Sequence, residues 1–317
     1  MALPNVLIIG AMKSGTTGLY MDLVTHPDVF MAQDKEPQCL CSDDVLTETG
    51  RRNYAQLYAG AHEGQLILDA STDYAKRPEY DGVHERAQQV LPEGFKVIYL
   101  VRHPIDRIMS QHHHEFSEGL VSEEVNNEVR WNSRYLDLSS YAYQLEPWLE
   151  AVGRDRILVV RFEDYKARRR EVVEEVCEFL DLEPAGCQIE TDKIYNKSAG
   201  KPIRNSFWKA VSQNLFYRNV LRKLLSPKLR MAICQRILPS ASVEPSRPTS
   251  RTVESLRESL VNEVRRLSEM LGLDYPLWAD LANVDTVGTA PDFAAAQKRA
   301  QDRMGSGVLS QKPIVAS

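Results

Sequence analysis

Short apolar runs alternate with longer amphipathic stretches through the first half of this chain. The first run, NVLIIG at residues 5–10, ends in a glycine loop, and a helical pattern follows over residues 16–26. Val29–Met31, Leu66–Asp69 (LILD), Lys96–Val101 (KVIYLV) and residues 156–162 (RILVVRF) carry further apolar runs, the last three as long as a buried strand. Between them the spacing predicts helices over residues 80–91, 104–116, 135–152 and 165–180. Pro104 falls where proline suits the first turn of a helix. Near-continuous apolar strands separated by helices predict a parallel sheet covered on both faces, an α/β fold of three layers. No internal repeat interrupts the pattern.

The chain changes character after Leu182. Residues 193–236 hold eleven basic side chains and no acidic one, in a protein of net charge −5. Within that stretch, residues 206–225 (SFWKAVSQNLFYRNVLRKLL) read as a helix with aromatic surface and the cations Lys209, Arg218, Arg222 and Lys223. Residues 251–271 predict another amphipathic helix, with Leu256, Leu260, Val264, Leu267 and Leu271 on one face. From about residue 285 large apolar groups become sparse. The expected organisation is one domain over residues 1–284 and a peripheral tail over 285–317.

Composition narrows the function. A chain of 317 residues can bury a full core without disulfides or metals as staples. Its net negative charge excludes a protein that coats nucleic acid by overall positive charge. The opening MALPNVLIIG has no basic region ahead of its apolar run, and no uninterrupted stretch of about 18 apolar residues exists. Neither a secretory signal nor a membrane span is expected. Cys39, Cys41, Cys177, Cys187 and Cys234 are odd in number and scattered, which suits a reducing cytoplasm and ordinary thiols. They form no zinc-ligand spacing, and no metal site is expected.

The candidate chemistry begins in the first loop, Gly10-Ala-Met-Lys13-Ser14-Gly15-Thr16-Thr17-Gly18. A glycine loop between a strand and a helix directs backbone N–H groups and the helix N-terminus at one point, a phosphate cradle. The Gly10-x4-Gly15 spacing matches the start of a Walker A loop, so the fold is expected to be P-loop-like. Thr16, however, stands where a nucleoside-triphosphate hydrolase needs lysine, and the lysine lies inside the loop at Lys13. A second anion site is expected at Arg102, at the end of KVIYLV, with Ser110 eight residues on. An arginine at the carboxyl end of a parallel strand faces the ligand crevice of an open α/β sheet, and its planar fork suits phosphate oxygens. Arg107, on the same helix, reads as solvated.

Together these strings resemble the nucleotide-binding motifs of sulfotransferases that use 3′-phosphoadenosine 5′-phosphosulfate (PAPS), in the heparan-sulfate-type and related bacterial group. The resemblance implies that Ser14, Gly15, Thr16, Thr17 and Gly18 hold the 5′-phosphate and that Lys13 meets the bridging oxygen of the leaving group. It implies 3′-phosphate contacts from Arg102 and Ser110, and 3′,5′-adenosine bisphosphate (PAP) as product. It also implies a general base at Glu36, in a Lys35-Glu36-Pro37 segment like the family's; here the chain continues Gln38-Cys39-Leu40 where relatives often carry His-Phe-Phe. Asp69-Ala-Ser71-Thr72-Asp73-Tyr74 resembles a turn on the acceptor side. The loop holding Lys197, Lys201 and Arg204 resembles one that closes over the nucleotide, with the phosphate-contacting residue among the three left open.

Residue chemistry alone offers a competitor for the base: His112, followed by His113 and His114 on the helix after Arg102. Successive helical residues point about 100° apart, so the three cannot share one target or one metal. Acceptors left open are a glycan, a small alcohol, a phenol and a lipid head group, with the basic segment as a substrate wall or a contact for an anionic membrane surface. The remaining readings are a P-loop nucleotide kinase and a non-catalytic nucleotide- or polyanion-binding protein.

Overall fold

A computed structural model of the chain describes residues 2–32, 35–190 and 246–281. Lys197, Lys201 and Arg204, the residues 206–225 expected to form a basic helix and the tail expected over 285–317 lie outside the described residues.

The described elements run β1 (Val6–Gly10), α1 (Thr16–Leu23), β2 (Val29–Met31), α2 (Glu48–Gln56), β3 (Leu66–Asp69), α3 (Val83–Val90) and β4 (Lys96–Val101). They continue with α4 (Pro104–Ser117), α5 (Val125–Trp131), α6 (Arg134–Asp137), α7 (Tyr141–Val152), β5 (Ile157–Arg161), α8 (Phe162–Ala167), α9 (Arg169–Phe179) and α10 (Ser250–Met270). The five strands form one parallel sheet in the order β2-β3-β1-β4-β5.

Side chains on a strand point alternately to its two faces, and β1 feeds two cores in that way. Leu7 and Ile9 join Tyr99, Trp148 of α7 and Leu260 of α10 on one face. Val6 and Ile8 join Leu19 and Leu23 of α1 and Val173 and Val176 of α9 on the other. All five residues of β1 are buried, which is why the run is apolar throughout rather than alternating. The three-layer α/β arrangement expected from the pattern is therefore present. Among the described residues no helix is long and apolar enough to cross a membrane.

Several boundaries differ from the expected ones, each for a local reason. The helix expected over 135–152 is two: Ser139 and Ser140 hydroxyls donate back to the Tyr135 and Leu136 carbonyls at 2.8 and 2.9 Å, and α7 restarts at Tyr141. The helix expected over 165–180 begins earlier and breaks at Arg168, whose backbone leaves the helical region (φ −132°, ψ 52°). Helix α3 starts at Val83 rather than residue 80, because Gly82 enters it with φ 71°.

Arg107 is corrected outright. It is fully buried rather than solvated, donating to Ser139 Oγ at 2.7 Å, Gln111 Oε1 at 2.9 Å and the Tyr135 carbonyl at 2.9 Å. A guanidinium without water is costly unless its nitrogens find acceptors, and these three take one N–H from each of Nε, Nη1 and Nη2. The network ties α4 to α6 and so fixes the helix that follows Arg102.

Candidate functional site

Strand order places the site. From β1 the chain moves to one side of the sheet, through β2 and β3, and then crosses to β4 on the other side. Such a reversal opens a crevice at the carboxyl ends of the strands. The loop after β1, the end of β3 and the end of β4 all meet there, with β3 and β4 flanking β1.

The β1 loop is shaped by two positive-φ residues, Lys13 (72°) and Gly15 (89°), and Gly15 is the residue that opens α1. At Gly15 the glycine is doubly required, because a Cβ would lie 2.6 Å from Cδ2 of Phe162. No side chain caps α1, and the first amides of a helix have no intrahelical acceptor, so this end suits an anion. Ser14 is fully buried, and its hydroxyl lies near the Tyr141 hydroxyl without a well-shaped hydrogen bond to any described residue. A buried hydroxyl without a well-shaped partner, beside a helix N-terminus that no side chain caps, fits a phosphate-bearing ligand. Gly18 has a second explanation: a Cβ there would meet the Tyr165 hydroxyl at 2.8 Å. Tyr165 and Arg169 both donate to Asp22 of α1, at 2.5 and 2.6 Å, and clamp the helix against α8 and α9.

Arg102 emerges from β4 and joins the two expected anion sites directly. Its Nη1 donates to the Lys13 carbonyl at 3.3 Å, and its guanidinium stacks on the Phe162 ring, 5.1 Å from the centroid. Tyr141 holds the backbone of Arg102 from both sides: its hydroxyl donates to the Arg102 carbonyl at 2.7 Å and accepts from the Arg102 amide at 3.3 Å. The next residue is pinned as well, with the His103 amide donating to Glu163 at 2.8 Å. Ser110 is half-buried on α4, two turns beyond Pro104.

Glu36 belongs to the other flank. It pairs with Lys35 and accepts from Thr72 Oγ1 at 3.4 Å, so it is tied to the end of β3. The Glu36 side chain keeps 31% of its surface exposed, which leaves it accessible to an acceptor. His112 does not compete on these terms. It is 2% exposed, its Nε2 meets the Ser122 carbonyl at 3.0 Å, and burial lowers its pKa. That hydrogen bond commits one ring nitrogen to the protein backbone. His113 is also buried. The turn over 69–74 is corrected too. Asp69, Ser71, Thr72, Asp73 and Tyr74 are all buried, and Asp73 pairs with the equally buried Lys76, so the turn is packed scaffold rather than an open acceptor wall.

Comparison with known proteins gives this crevice a family. A family model described as the sulfotransferase domain matches residues 3–206, more than half of the chain. The chain belongs to the sulfotransferase domain family. Its curated relatives include mouse heparan sulfate glucosamine 3-O-sulfotransferase 3A1, 28% identical over 221 residues, covering 63% of this chain and 51% of the relative. Human bifunctional heparan sulfate N-deacetylase/N-sulfotransferase 1 is 24% identical over 225 residues, covering 65% of this chain and 24% of that protein. The chain thus spans about half, or less, of the length of these relatives. Among solved structures, a sulfotransferase from Alicyclobacillus acidocaldarius superposes with a TM-score of 0.61 at 20% identity, over 87% of this chain and 98% of that one.

Within this sulfotransferase domain, sequence reasoning missed Phe162 and Tyr141, and it placed Thr72 in the acceptor-side turn without its contact to Glu36. Phe162 is the first residue after β5, and strand-end position was its one available signal. Tyr141 meets Arg102, and Thr72 meets Glu36, across long stretches of sequence, so nothing local marks either contact. Among the described residues no cluster of His, Cys, Asp and Glu is arranged to hold a metal ion.

Proposed function

We propose that this protein is a PAPS-dependent sulfotransferase that moves the sulfuryl group to a hydroxyl, with an amine as the lesser alternative. The observation that carries the reading is the Arg102–Lys13 contact across the carboxyl ends of β4 and β1, beside a helix end that no side chain caps. PAPS supplies an activated sulfuryl group whose transfer leaves PAP.

The chain's residues divide the work. The α1 N-terminus and the Ser14 hydroxyl hold the 5′-phosphate, and Arg102 with Ser110 holds the 3′-phosphate. Lys13 places its ammonium where negative charge grows as the bridging S–O bond breaks, the arrangement in which a fixed charge lowers a barrier most. Glu36, on the opposite flank of the loop, takes the proton from the attacking hydroxyl. Flanking positions on either side of Lys13 suit an in-line displacement, with nucleotide and acceptor approaching from opposite sides. The curated relatives are named for heparan sulfate, so a glycan hydroxyl is the first acceptor class to test.

Donor specificity provides the test. If Arg102 holds the 3′-phosphate, calorimetry should show PAP binding more tightly than AMP by about 10- to 150-fold, the effect of one charge-assisted contact of about 1.5–3 kcal/mol. Arg102→Ala should bring the two affinities together. Equal affinities in the unsubstituted protein would refute the site.

Activity should also survive EDTA. The transferred sulfuryl group carries less charge than a phosphoryl group, and Lys13 already provides the cation that a phosphoryl-transfer site takes from magnesium. A strict magnesium requirement, with ATP as donor, would favour the nucleotide kinase.

A further inference from the structure

We infer that Asp69 is a positioning residue for the base, holding the Glu36 loop through two hydroxyl relays. The inference rests on the reading of Glu36 as base and adds a device that the reading does not require.

Asp69 closes β3, is 1% exposed, and gathers three hydroxyl donors. Ser71 Oγ donates to Oδ1 at 2.7 Å, and Tyr54 and Tyr74 donate to Oδ2 at 2.6 and 2.7 Å. Two of the three pass the connection on. Ser71 Oγ accepts from the Gln38 amide at 3.1 Å, and Tyr74 Oη accepts from the Leu40 amide at 3.4 Å. Each hydroxyl therefore donates to the carboxylate and accepts from the loop, so Asp69 fixes the direction of both. Tyr54 donates to Asp69 as well, but among the described residues its hydroxyl makes no hydrogen bond to the loop.

The loop needs such a hold. Glu36 and Gln38 both sit in the left-handed region, at φ 65° and 58°, on either side of Pro37. A left-handed non-glycine residue is strained and persists only where its surroundings over-determine it. Gln38 is gripped at its own amide by Ser71, while Thr72, the next residue, donates to Glu36 Oε2. The buried end of β3 thus sets the backbone on one side of the base and contacts its carboxylate as well. Burial raises the Asp69 pKa, the three hydroxyls oppose that rise, and the negative charge of Glu36 adds to it.

The experiment compares Ser71→Ala, Tyr74→Phe and Tyr54→Phe in the full chain. Turnover is read as label from PAPS entering heparan sulfate or 4-nitrophenol, with PAPS hydrolysis in water as the acceptor-free measure. PAP affinity is read by calorimetry. Ser71→Ala should lower kcat by roughly 10- to 100-fold, the scale of a small misplacement of a catalytic group, with PAP affinity within about twofold. Tyr74→Phe should do the same to a smaller degree. Tyr54→Phe, which loses an Asp69 contact without touching the loop, should keep kcat within about threefold while its melting temperature drops as theirs do. In a Glu36→Gln background Ser71→Ala should add almost nothing, because effects routed through one group are not additive. Amide exchange gives a readout independent of turnover: Gln38 should exchange at least about tenfold faster in Ser71→Ala, and Leu40 in Tyr74→Phe, with neither moved by Tyr54→Phe.

Equal kcat in Ser71→Ala, Tyr74→Phe and the unsubstituted enzyme, or unaltered Gln38 and Leu40 exchange, would overturn the positioning role. Wild-type activity in Glu36→Gln would instead remove the base reading itself, and accelerated Gln38 exchange in Ser71→Ala would then still establish the anchor.

Discussion

Lys13→Ala is expected to lower kcat by about 10²–10³-fold while weakening PAP binding far less. That is the scale found when one preorganised donor to a developing charge is removed. The charge on the bridging oxygen grows mainly in the transition state, so the ammonium contributes little to ground-state affinity. The substitution is well controlled in this backbone. Lys13 has φ 72°, and alanine meets nearly the same left-handed penalty because both residues carry a Cβ. The Lys13 carbonyl remains to accept from Arg102. What changes is the ammonium. Unchanged turnover in Lys13→Ala would remove Lys13 from the reaction.

Glu36→Gln is expected to lower kcat by about 10²–10⁴-fold with nucleotide affinity preserved, since a positioned base contributes on that scale. Glutamine keeps the length of the side chain, the φ of 65° and an oxygen that can accept from Thr72. It cannot take a proton from the acceptor. His112→Asn is the companion variant, and its kcat should hold within a few-fold because His112 is buried against Ser122. Loss of activity in His112→Asn with retention in Glu36→Gln would show that the base had been misassigned.

The strands were legible because they are buried on both faces, so LIIG, KVIYL and ILVV read as continuous apolar runs. The loop and Arg102 were legible for a related reason: strand ends in a parallel sheet are where ligand chemistry collects, and both motifs sit at such ends. What stayed hidden depended on partners distant in sequence. Arg107 looks like any helical arginine until Ser139 and Tyr135 are folded against it. Thr72 and Glu36 lie thirty-six positions apart and meet because β2 and β3 pair. The turn over 69–74 resembles one on the acceptor side, and its residue types do not reveal that Asp69, Ser71, Asp73 and Tyr74 are buried and paired within the fold. Helix α2, ETGRRNYAQ, buries only Tyr54 and Ala55 and so carries almost no apolar signal.

Transfer itself tests the central claim most directly. PAPS labelled with ³⁵S in the sulfuryl group is incubated, in EDTA, with the protein and separately with heparan sulfate, 4-nitrophenol and octyl glucoside. Label should pass to at least one of the three with one PAP released per sulfate transferred, and Lys13→Ala should abolish most of that transfer. No transfer to any of them and no PAPS hydrolysis, together with phosphoryl transfer from magnesium ATP, would contradict the account.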